Sequence, residues 1–377
     1  MDEPNPQAVC GALLPEGDRV LWPRSVLPAT NDEEGEDEAV RIAIAGAGVA
    51  GSYIFRLLKM RGHTEVDVFE RKHAIACGIH PCGYGVDHHF DQLVRHAGLA
   101  PSSYVLHVPP RLLAEVEGVS AKTTVFMIDK PRLVADLLDG APIRYETVDV
   151  DDYDLIVDAT GEARAYSPPL RNDLKARVVQ WRVQVQESAR TAFMSTRGLP
   201  GYAWIMPLSR DGIEVHVGAG CRAGLRVPAQ DLTEAVLGSL AVDRVICACG
   251  ARIRLSGPDF GSIVHGHVWA AGEAAGLVGP ASGAGNVYAM QSGLDLVSHL
   301  GDGDGYVKAL HRHFYHLVPE ARAVRTVLEG RLPTVTDLYH IRQGWKRAGV
   351  EVAWRDLPRL MLAMNRAFTG GAGWPAP

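Results

Sequence analysis

The 377-residue chain lacks the patterns that mark several classes of protein. Its six cysteines form no pair of CxxC motifs, and its fifteen histidines form no HExxH motif, so no metal site is expected. No apolar run approaches the ~20 residues of a membrane span. The N-terminus lacks the basic and apolar regions of a secretory signal. Since six cysteines without regular spacing also suit a reducing compartment, we expect a globular cytoplasmic protein.

Acidic charge is concentrated at one end of the chain. Residues 1–38 contain ten acidic and two basic residues, which leaves 34 acids against 36 Lys and Arg in the remainder. We therefore expect residues 1–39 to be an acidic, mobile segment. The nearly neutral remainder has no basic stripe with interleaved aromatic residues, which argues against nucleic-acid binding.

A glycine-rich segment near the start of the neutral region predicts a phosphate site. The apolar run Arg41–Ala45 precedes it, and the apolar-periodic stretch Ser52–Arg61 follows it, an order typical of a strand, a tight turn and a helix N-terminus. Gly46 would make the turn and Gly48 would let the backbone approach a pyrophosphate. Gly51 would let the helix pack closely on the strand.

An acidic residue supports the same interpretation. A second predicted strand, Glu65–Phe69, is followed by Glu70, at about the spacing of a carboxylate that accepts hydrogen bonds from ribose hydroxyls. The strand, the helix and the acid are separate features that agree. Together they predict a dinucleotide site, the alternative being a turn without a ligand.

A second glycine-rich segment favours FAD over NAD. Val268–Gly276 is a short apolar strand that ends in a glycine and a carboxylate and is followed by small residues. Glu273 could bond ribityl hydroxyls, and backbone N–H groups near Gly283, Gly285 and Asn286 could face the O2 side of a reduced isoalloxazine. A nicotinamide enzyme needs only the early motif. The alternative is an ordinary strand-to-helix turn.

Four segments resemble one known family. They are the early glycine motif with Glu70 and Arg71, His80–Gly83, Pro200–Pro207 and Gly272–Gly285. In these segments the chain is similar to the FAD-dependent geranylgeranyl reductases, which belong to the fold group of p-hydroxybenzoate hydroxylase. The resemblance implies an α/β fold with a Rossmann-like FAD-binding domain of that type, an antiparallel β-sheet substrate domain and C-terminal helices.

The resemblance also implies cofactor contacts, with some departures. It places Arg71, Gly272, Ala274 and Pro280 at the FAD, in addition to the glycines and acids above. The family's arginine after the central strand is replaced by Lys130, unless Arg132 takes over the contact, and its usual late aspartate is Glu273 here.

The segment Pro200–Pro207 departs from the family pattern at two positions. One residue separates Pro200 from Tyr202 where the family usually has two, and Met206 replaces the usual phenylalanine. These changes bear first on the identity of the substrate. In the family this segment lines the pocket for an isoprenoid chain, which makes Tyr202, Trp204 and Pro207 the candidate substrate contacts. Tyr202 and Trp204 are two residues apart, so an extended strand projects them to one side, towards a pocket or, alternatively, the core.

Cys82 is the candidate catalytic residue. In the resembled family the matching cysteine faces flavin and substrate, and a thiol there could donate a proton to a substrate carbon after hydride transfer from the reduced flavin N5. The alternative is an inert packed thiol. Cys247 and Cys249 are expected to share one face of a core strand, and His88 and His89 to face solvent or cap a helix.

Periodicity gives a division into domains. We expect an FAD-binding domain from residues 40–165 and 256–305, an antiparallel substrate domain from 166–255, and a helical region over 306–377. Strands are expected at Val125–Ile128 and within Tyr153–Gly161. Helices are expected at Phe90–Ala97, Arg132–Leu138 and, as an amphipathic surface interrupted by Pro358, within Val352–Phe368.

The functional hypothesis is an FAD-dependent reductase of carbon–carbon double bonds in a prenyl, geranylgeranyl-type or other long apolar substrate. The electron donor would be NAD(P)H or a ferredoxin-like protein, and peripheral membrane contact would suit a lipid substrate. The alternatives are an aromatic or polyketide monooxygenase of the same fold, a non-redox enzyme resembling lycopene cyclases, and a flavin-binding protein without catalysis.

Overall fold

A computed structural model describes residues 40–71, 82–170, 172–195, 201–222, 229–357 and 359–360. The acidic segment, Cys77, His80, Pro200 and most of Val352–Phe368 lie outside the described residues. Within the described ranges, no helix combines the length and the apolar character that crossing a bilayer requires.

The helices and strands are numbered along the chain. The α-helices are α1 (Val49–Met60), α2 (His89–His96), α3 (Lys130–Leu137), α4 (Ala229–Leu237), α5 (Asn286–Ser298), α6 (Gly303–Phe314), α7 (Leu317–Leu328) and α8 (Val335–Arg347). The strands are β1 (Ile42–Ala45), β2 (Val66–Phe69), β3 (Gly85–Val86), β4 (Val105–His107), β5 (Leu113–Val116), β6 (Val119–Thr123), β7 (Phe126–Ile128), β8 (Ile143–Arg144), β9 (Leu155–Asp158), β10 (Lys175–Val185), β11 (Ala192–Ser195), β12 (Gly201–Pro207), β13 (Glu214–Arg222), β14 (Val242–Arg254), β15 (Val264–His265), β16 (Val268–Ala270) and β17 (Val350–Glu351). The predicted helices near Phe90 and Arg132 and the predicted strands near Val125 and Leu155 are therefore present.

The first sheet brings the glycine motifs to one edge. Its order is β15-β16-β9-β1-β2-β8, and all neighbouring pairs except β15 with β16 are parallel. β1 is wholly buried, as expected for a parallel strand covered on both faces. The carboxyl ends of β1, β2, β9 and β16 lie at a common edge, where open α/β sheets bind their ligands.

The second sheet is mainly antiparallel, with the order β14-β10-β13-β12-β11-β5-β6-β17. Alternation divides its two faces: Ala203 and Ile205 of β12 pack in the core beneath α4, whereas Tyr202, Trp204 and Met206 face the other way. The hairpin β5–β6 and the short β17 come from segments outside residues 166–255 and complete this sheet. A third, three-stranded sheet has the order β3-β7-β4.

The expectation of a core strand at Cys247 and Cys249 is wrong. They belong to β14, which lies at the edge of the second sheet and pairs there with β10 alone. Val245 and Ile246 are exposed, because α4 packs over β10 and β13 and does not extend over β14. An apolar run therefore marked the strand correctly but not its position in the sheet.

Candidate functional site

The three motif glycines have different surroundings. Gly46 has φ +107°, and a Cβ on it would lie 2.3 Å from the carbonyl oxygen of Ala159. A Cβ on Gly51 would lie 1.8 Å from the carbonyl oxygen of Gly46, so helix and turn pack with no room for a side chain. Gly48 is exposed, and nothing lies within 4 Å of its Cβ position. Packing thus requires Gly46 and Gly51, whereas Gly48 leaves backbone open to a ligand.

Glu70 lies beside this turn. The Ala47 N–H donates to Glu70 Oε2 at 2.8 Å, and the N–H of the exposed Arg71 donates to Oε1 at 2.7 Å. These bonds hold the carboxylate at the carboxyl end of β2 and next to the glycine turn. A carboxylate in this position suits a ribose diol.

The late glycine segment meets the early one in space. A Cβ on Gly272 would lie 2.9 Å from the Cβ of Ala50, so the turn after β16 abuts the first turn of α1. The Gly272 N–H donates to the Ser292 hydroxyl at 2.9 Å, and the buried Ala274 accepts a hydrogen bond from Arg164 at its carbonyl. The two motifs are therefore parts of one edge of the sheet.

Glu273 projects between the two sheets. Its Oε1 accepts a hydrogen bond from the Arg254 N–H at 2.8 Å, and Oε2 lies 3.5 Å from the Cβ position of Gly161. Burial raises the pKa of Glu273 to about 7, although the backbone and guanidinium of Arg254 act in the opposite direction. Near neutral pH this side chain is present both as a hydrogen-bond donor and as an acceptor.

The raised pKa of Glu273 gives a pH-dependent contribution to stability. Because the folded pKa exceeds the unfolded value of 4.5, unfolding becomes easier as pH rises from about 4.5 to about 7. We expect Glu273→Gln to reduce this fall in the free energy of unfolding by about 1–2 kcal/mol. Urea unfolding at pH 5 and pH 7.5 without added flavin measures it. Glu65→Gln, at an exposed position, is the control, and an unchanged pH dependence in Glu273→Gln contradicts the assignment.

Of the two basic residues that follow β7, Lys130 faces the site. Lys130 begins α3 and is 8% exposed. Burial is the main cause of the raised pKa of Glu273 and of the lowered pKa of His216, and the positive charge of Lys130 opposes the first shift and adds to the second. Arg132 is exposed and donates to the Ser103 carbonyl at 3.2 Å. Of the two residues, Lys130 is thus the one whose charge reaches Glu273, and its contact with the cofactor stays a prediction.

A cavity of about 270 Å³ adjoins the late glycine segment. Its walls come from the second sheet, from the Pro280–Gly285 loop with Asn286, and from α7 and α8. Most of the lining side chains are apolar: Val178, Phe193, Met194, Met206, Ile253, Leu255, Val324, Val327 and Ile341. A cavity of this kind accommodates an apolar molecule.

Tyr202 and Trp204 both line this cavity, with ring centroids 5.7 Å apart. The Tyr202 hydroxyl donates to the carbonyl of Ser282, which ties β12 to the glycine loop. Trp204 Nε1 donates to Gln180 Oε1 at 3.2 Å. Pro207 ends β12 and is buried, but it is not among the described residues that line the cavity.

Trp204 requires glycine on the neighbouring strand. A Cβ on Gly218 would lie 2.3 Å from the Trp204 ring, so we expect Gly218→Ala to lower the free energy of unfolding by about 1–3 kcal/mol. Urea unfolding measures this cost. In a Trp204→Leu background the same substitution should cost much less, since the clash is removed. Equal costs in both backgrounds contradict the packing described here.

Cys82 lines the cavity next to Asn286, the residue that follows the Pro280–Gly285 loop. Its Sγ accepts hydrogen bonds from the Asn286 side-chain amide and from the Tyr84 backbone N–H, each at 3.4 Å. Met206 packs beside it, because Gly83 leaves room for the Met206 thioether. Residues that are far apart in the sequence thus surround one thiol.

His216 belongs to this region but was not predicted. It is 3% exposed on β13, its ring packs edge-on against Tyr84, and its Nδ1 has no hydrogen-bond partner among the described residues. Burial lowers its pKa to about 3, against the effect of the nearby Cys82 backbone. The imidazole is therefore neutral near pH 7. The available sequence signal was the period of two that aligns His216 with Gly218 and Gly220.

Asp87, His88 and His89 bring three potential ligand atoms within 4.8 Å of one another. Asp87 Oδ1 already accepts hydrogen bonds from His89 Nδ1 and from the His89 backbone N–H, both at 2.8 Å. This is the geometry of a helix cap at the start of α2, where the helix dipole disfavours a cation. The capping side chain is therefore that of Asp87, whereas His88 and His89 are exposed, as the solvent-facing alternative predicted.

Comparisons with known proteins give the fold. No model of a known protein family matches the chain, and no curated protein matches it either. Among solved structures, a geranylgeranyl bacteriochlorophyll reductase-like protein from Thermoplasma acidophilum matches with a TM-score of 0.62 and 14% identity, over 86% of this chain and 99% of that one.

Two other solved structures are similar. A flavoprotein/dehydrogenase from Cytophaga hutchinsonii has a TM-score of 0.56 and 13% identity, over 86% of this chain and 96% of its own. The flavin-dependent halogenase CmlS has a TM-score of 0.56 and 15% identity, over 85% and 69%. Because these sequence identities are only 13–15%, the structural similarity establishes the fold alone. The predicted α/β class, with its Rossmann-like domain and mainly antiparallel second sheet, is confirmed, and the chain has the fold of this group of flavin-dependent oxidoreductases.

Proposed function

We propose that the chain is an FAD-dependent reductase of carbon–carbon double bonds in a prenyl or other long apolar substrate. The observation that carries this proposal is the apolar cavity of about 270 Å³ next to the late glycine segment and the Cys82 thiol. The fold shared with flavoproteins supports it, as does the name of the Thermoplasma protein.

The residues at the sheet edge fit FAD. The open space at Gly48 suits a pyrophosphate, Glu70 suits the adenosine ribose, and Glu273 suits the ribityl chain. Lys130 would add a buried positive charge, and the loop from Pro280 to Asn286 would face the isoalloxazine. When bound and reduced, FAD supplies the two electrons that saturation of a double bond requires.

The chain's own residues would orient the substrate and supply a proton. Tyr202, Trp204 and Met206 form an apolar wall that excludes water from a bound hydrocarbon. Cys82 would donate its thiol proton to a substrate carbon and become a thiolate. The Asn286 amide and the Tyr84 N–H already point at Sγ, and both would stabilise that negative charge.

A monooxygenase of the same fold is the second candidate. The chain has the same TM-score, 0.56, with a flavin-dependent halogenase and with the Cytophaga flavoprotein/dehydrogenase, so similarity of fold does not favour one kind of flavin chemistry over another. The two functions differ in their need for oxygen. We expect the purified protein to retain FAD, and its reduced form to be oxidised by geranylgeranyl lipids without oxygen. Reoxidation that requires air, with an aromatic substrate stimulating oxygen uptake, supports the monooxygenase instead.

A further inference from the structure

The loop from Pro280 to Gly285 is closed partly by its own hydrogen bonds. The Gly283 N–H donates to the Gly279 carbonyl at 2.7 Å, and the Gly279 N–H donates to the Ala284 carbonyl at 2.8 Å. Ala281 is different, since both of its backbone groups bond outside the loop. Its N–H donates to Glu320 Oε1 on α7 at 2.9 Å, and its carbonyl accepts from Trp345 Nε1 on α8 at 3.0 Å.

Glu320 makes this contact although burial removes its carboxyl group from water, which costs solvation free energy. It is 1% exposed, and its Oε2 has no hydrogen-bond partner among the described residues. The carboxylate fits because α8 has glycine opposite it: a Cβ on Gly344 would lie 2.4 Å from the carboxylate. Burial of a carboxyl group on an otherwise apolar helix face costs free energy. Among the described residues, the one backbone group that donates to this carboxyl group belongs to the glycine loop.

From these contacts we propose that Glu320 and Trp345 are positioning residues, which hold Ala281 from both sides and so fix the Pro280–Gly285 loop in the shape that receives the cofactor. The loop lines the cavity, and α7 and α8, which form another part of the cavity wall, hold the loop through the two backbone groups of Ala281. The C-terminal helices would therefore act on cofactor binding through the position of Ala281. This inference rests on the proposed assignment of the loop to FAD.

Two measurements on the full chain test it: the dissociation constant of FAD, by titration into flavin-free protein, and hydrogen exchange of the peptide that contains Ala281. Glu320→Leu removes the acceptor and should raise the FAD dissociation constant about tenfold, with faster exchange in the loop. Glu320→Gln keeps an acceptor oxygen and should stay within about threefold of the unmodified chain. Trp345→Phe removes only the N–H that donates to the Ala281 carbonyl, so its FAD dissociation constant should lie between those of the two Glu320 variants.

The matched control is Glu329→Gln, at the end of the same helix, which should change neither quantity. If Glu320→Leu fails to fold, Trp345→Phe decides. Wild-type FAD affinity and wild-type loop exchange in these variants, with lowered stability, would reduce both residues to a structural role and overturn the inference alone. An unmodified chain that does not bind FAD overturns the proposed function together with it.

Discussion

Gly48→Ala is expected to raise the FAD dissociation constant at least tenfold and to change the free energy of unfolding of the flavin-free protein by no more than about 1 kcal/mol. The two effects separate because the Gly48 Cβ position meets no protein atom within 4 Å. An added methyl group therefore enters only the space where the backbone would approach a pyrophosphate. Titration with FAD and urea unfolding measure the two quantities.

Two further glycine substitutions sharpen this prediction. Gly51→Ala should destabilise the flavin-free protein itself, since its Cβ would lie 1.8 Å from the Gly46 carbonyl oxygen. Gly250→Ala, on the exposed edge strand β14, should change neither affinity nor stability appreciably. Unchanged FAD affinity in Gly48→Ala would place the pyrophosphate elsewhere.

Cys82→Ala is expected to slow oxidation of the reduced protein by an unsaturated apolar substrate about 100-fold, the range of a lost general acid. FAD affinity should be unchanged, since the thiol is proposed to act on substrate and not to hold the cofactor. Stopped-flow absorbance under anaerobic conditions measures the rate.

The matched control is Cys221→Ala, because Cys221 is a buried thiol that also lines the cavity. Its rate should stay near that of the unmodified protein. Equal rates for Cys82→Ala and the unmodified protein would leave water or another group as the proton donor.

Local sequence patterns were enough to predict the parallel sheet and its turns. Gly46, Gly51 and Gly272 are dictated by contacts within or next to a turn, and a strand–turn–helix pattern expresses such contacts directly. The antiparallel domain predicted over residues 166–255 likewise contains β10, β12 and β13, and the two-residue spacing of Tyr202 and Trp204 correctly placed both on one face of β12. A resemblance in four short segments added the fold group, which the comparison of structures supports.

Local patterns could not predict the residues that act through long-range packing. Glu320 and Trp345 lie on ordinary helices, and only the tertiary fold brings them to the glycine loop. His216 lies on an ordinary strand, and only the tertiary fold places it against Tyr84. The position of β14 at the sheet edge was missed for the same reason, because strand order depends on pairing between distant segments. The pattern also could not choose between Lys130 and Arg132, which differ in burial and not in local propensity.

The central claim is that a reduced flavin on this chain saturates double bonds of an apolar substrate, and a single anaerobic turnover tests it most directly. FAD-loaded protein is reduced with one equivalent of dithionite and mixed with a geranylgeranyl lipid, and the lipid is then analysed by mass spectrometry. We expect flavin reoxidation together with a lipid that has gained two hydrogen atoms. A flavin that stays reduced until air is admitted, with every prenyl lipid unchanged, would contradict the claim.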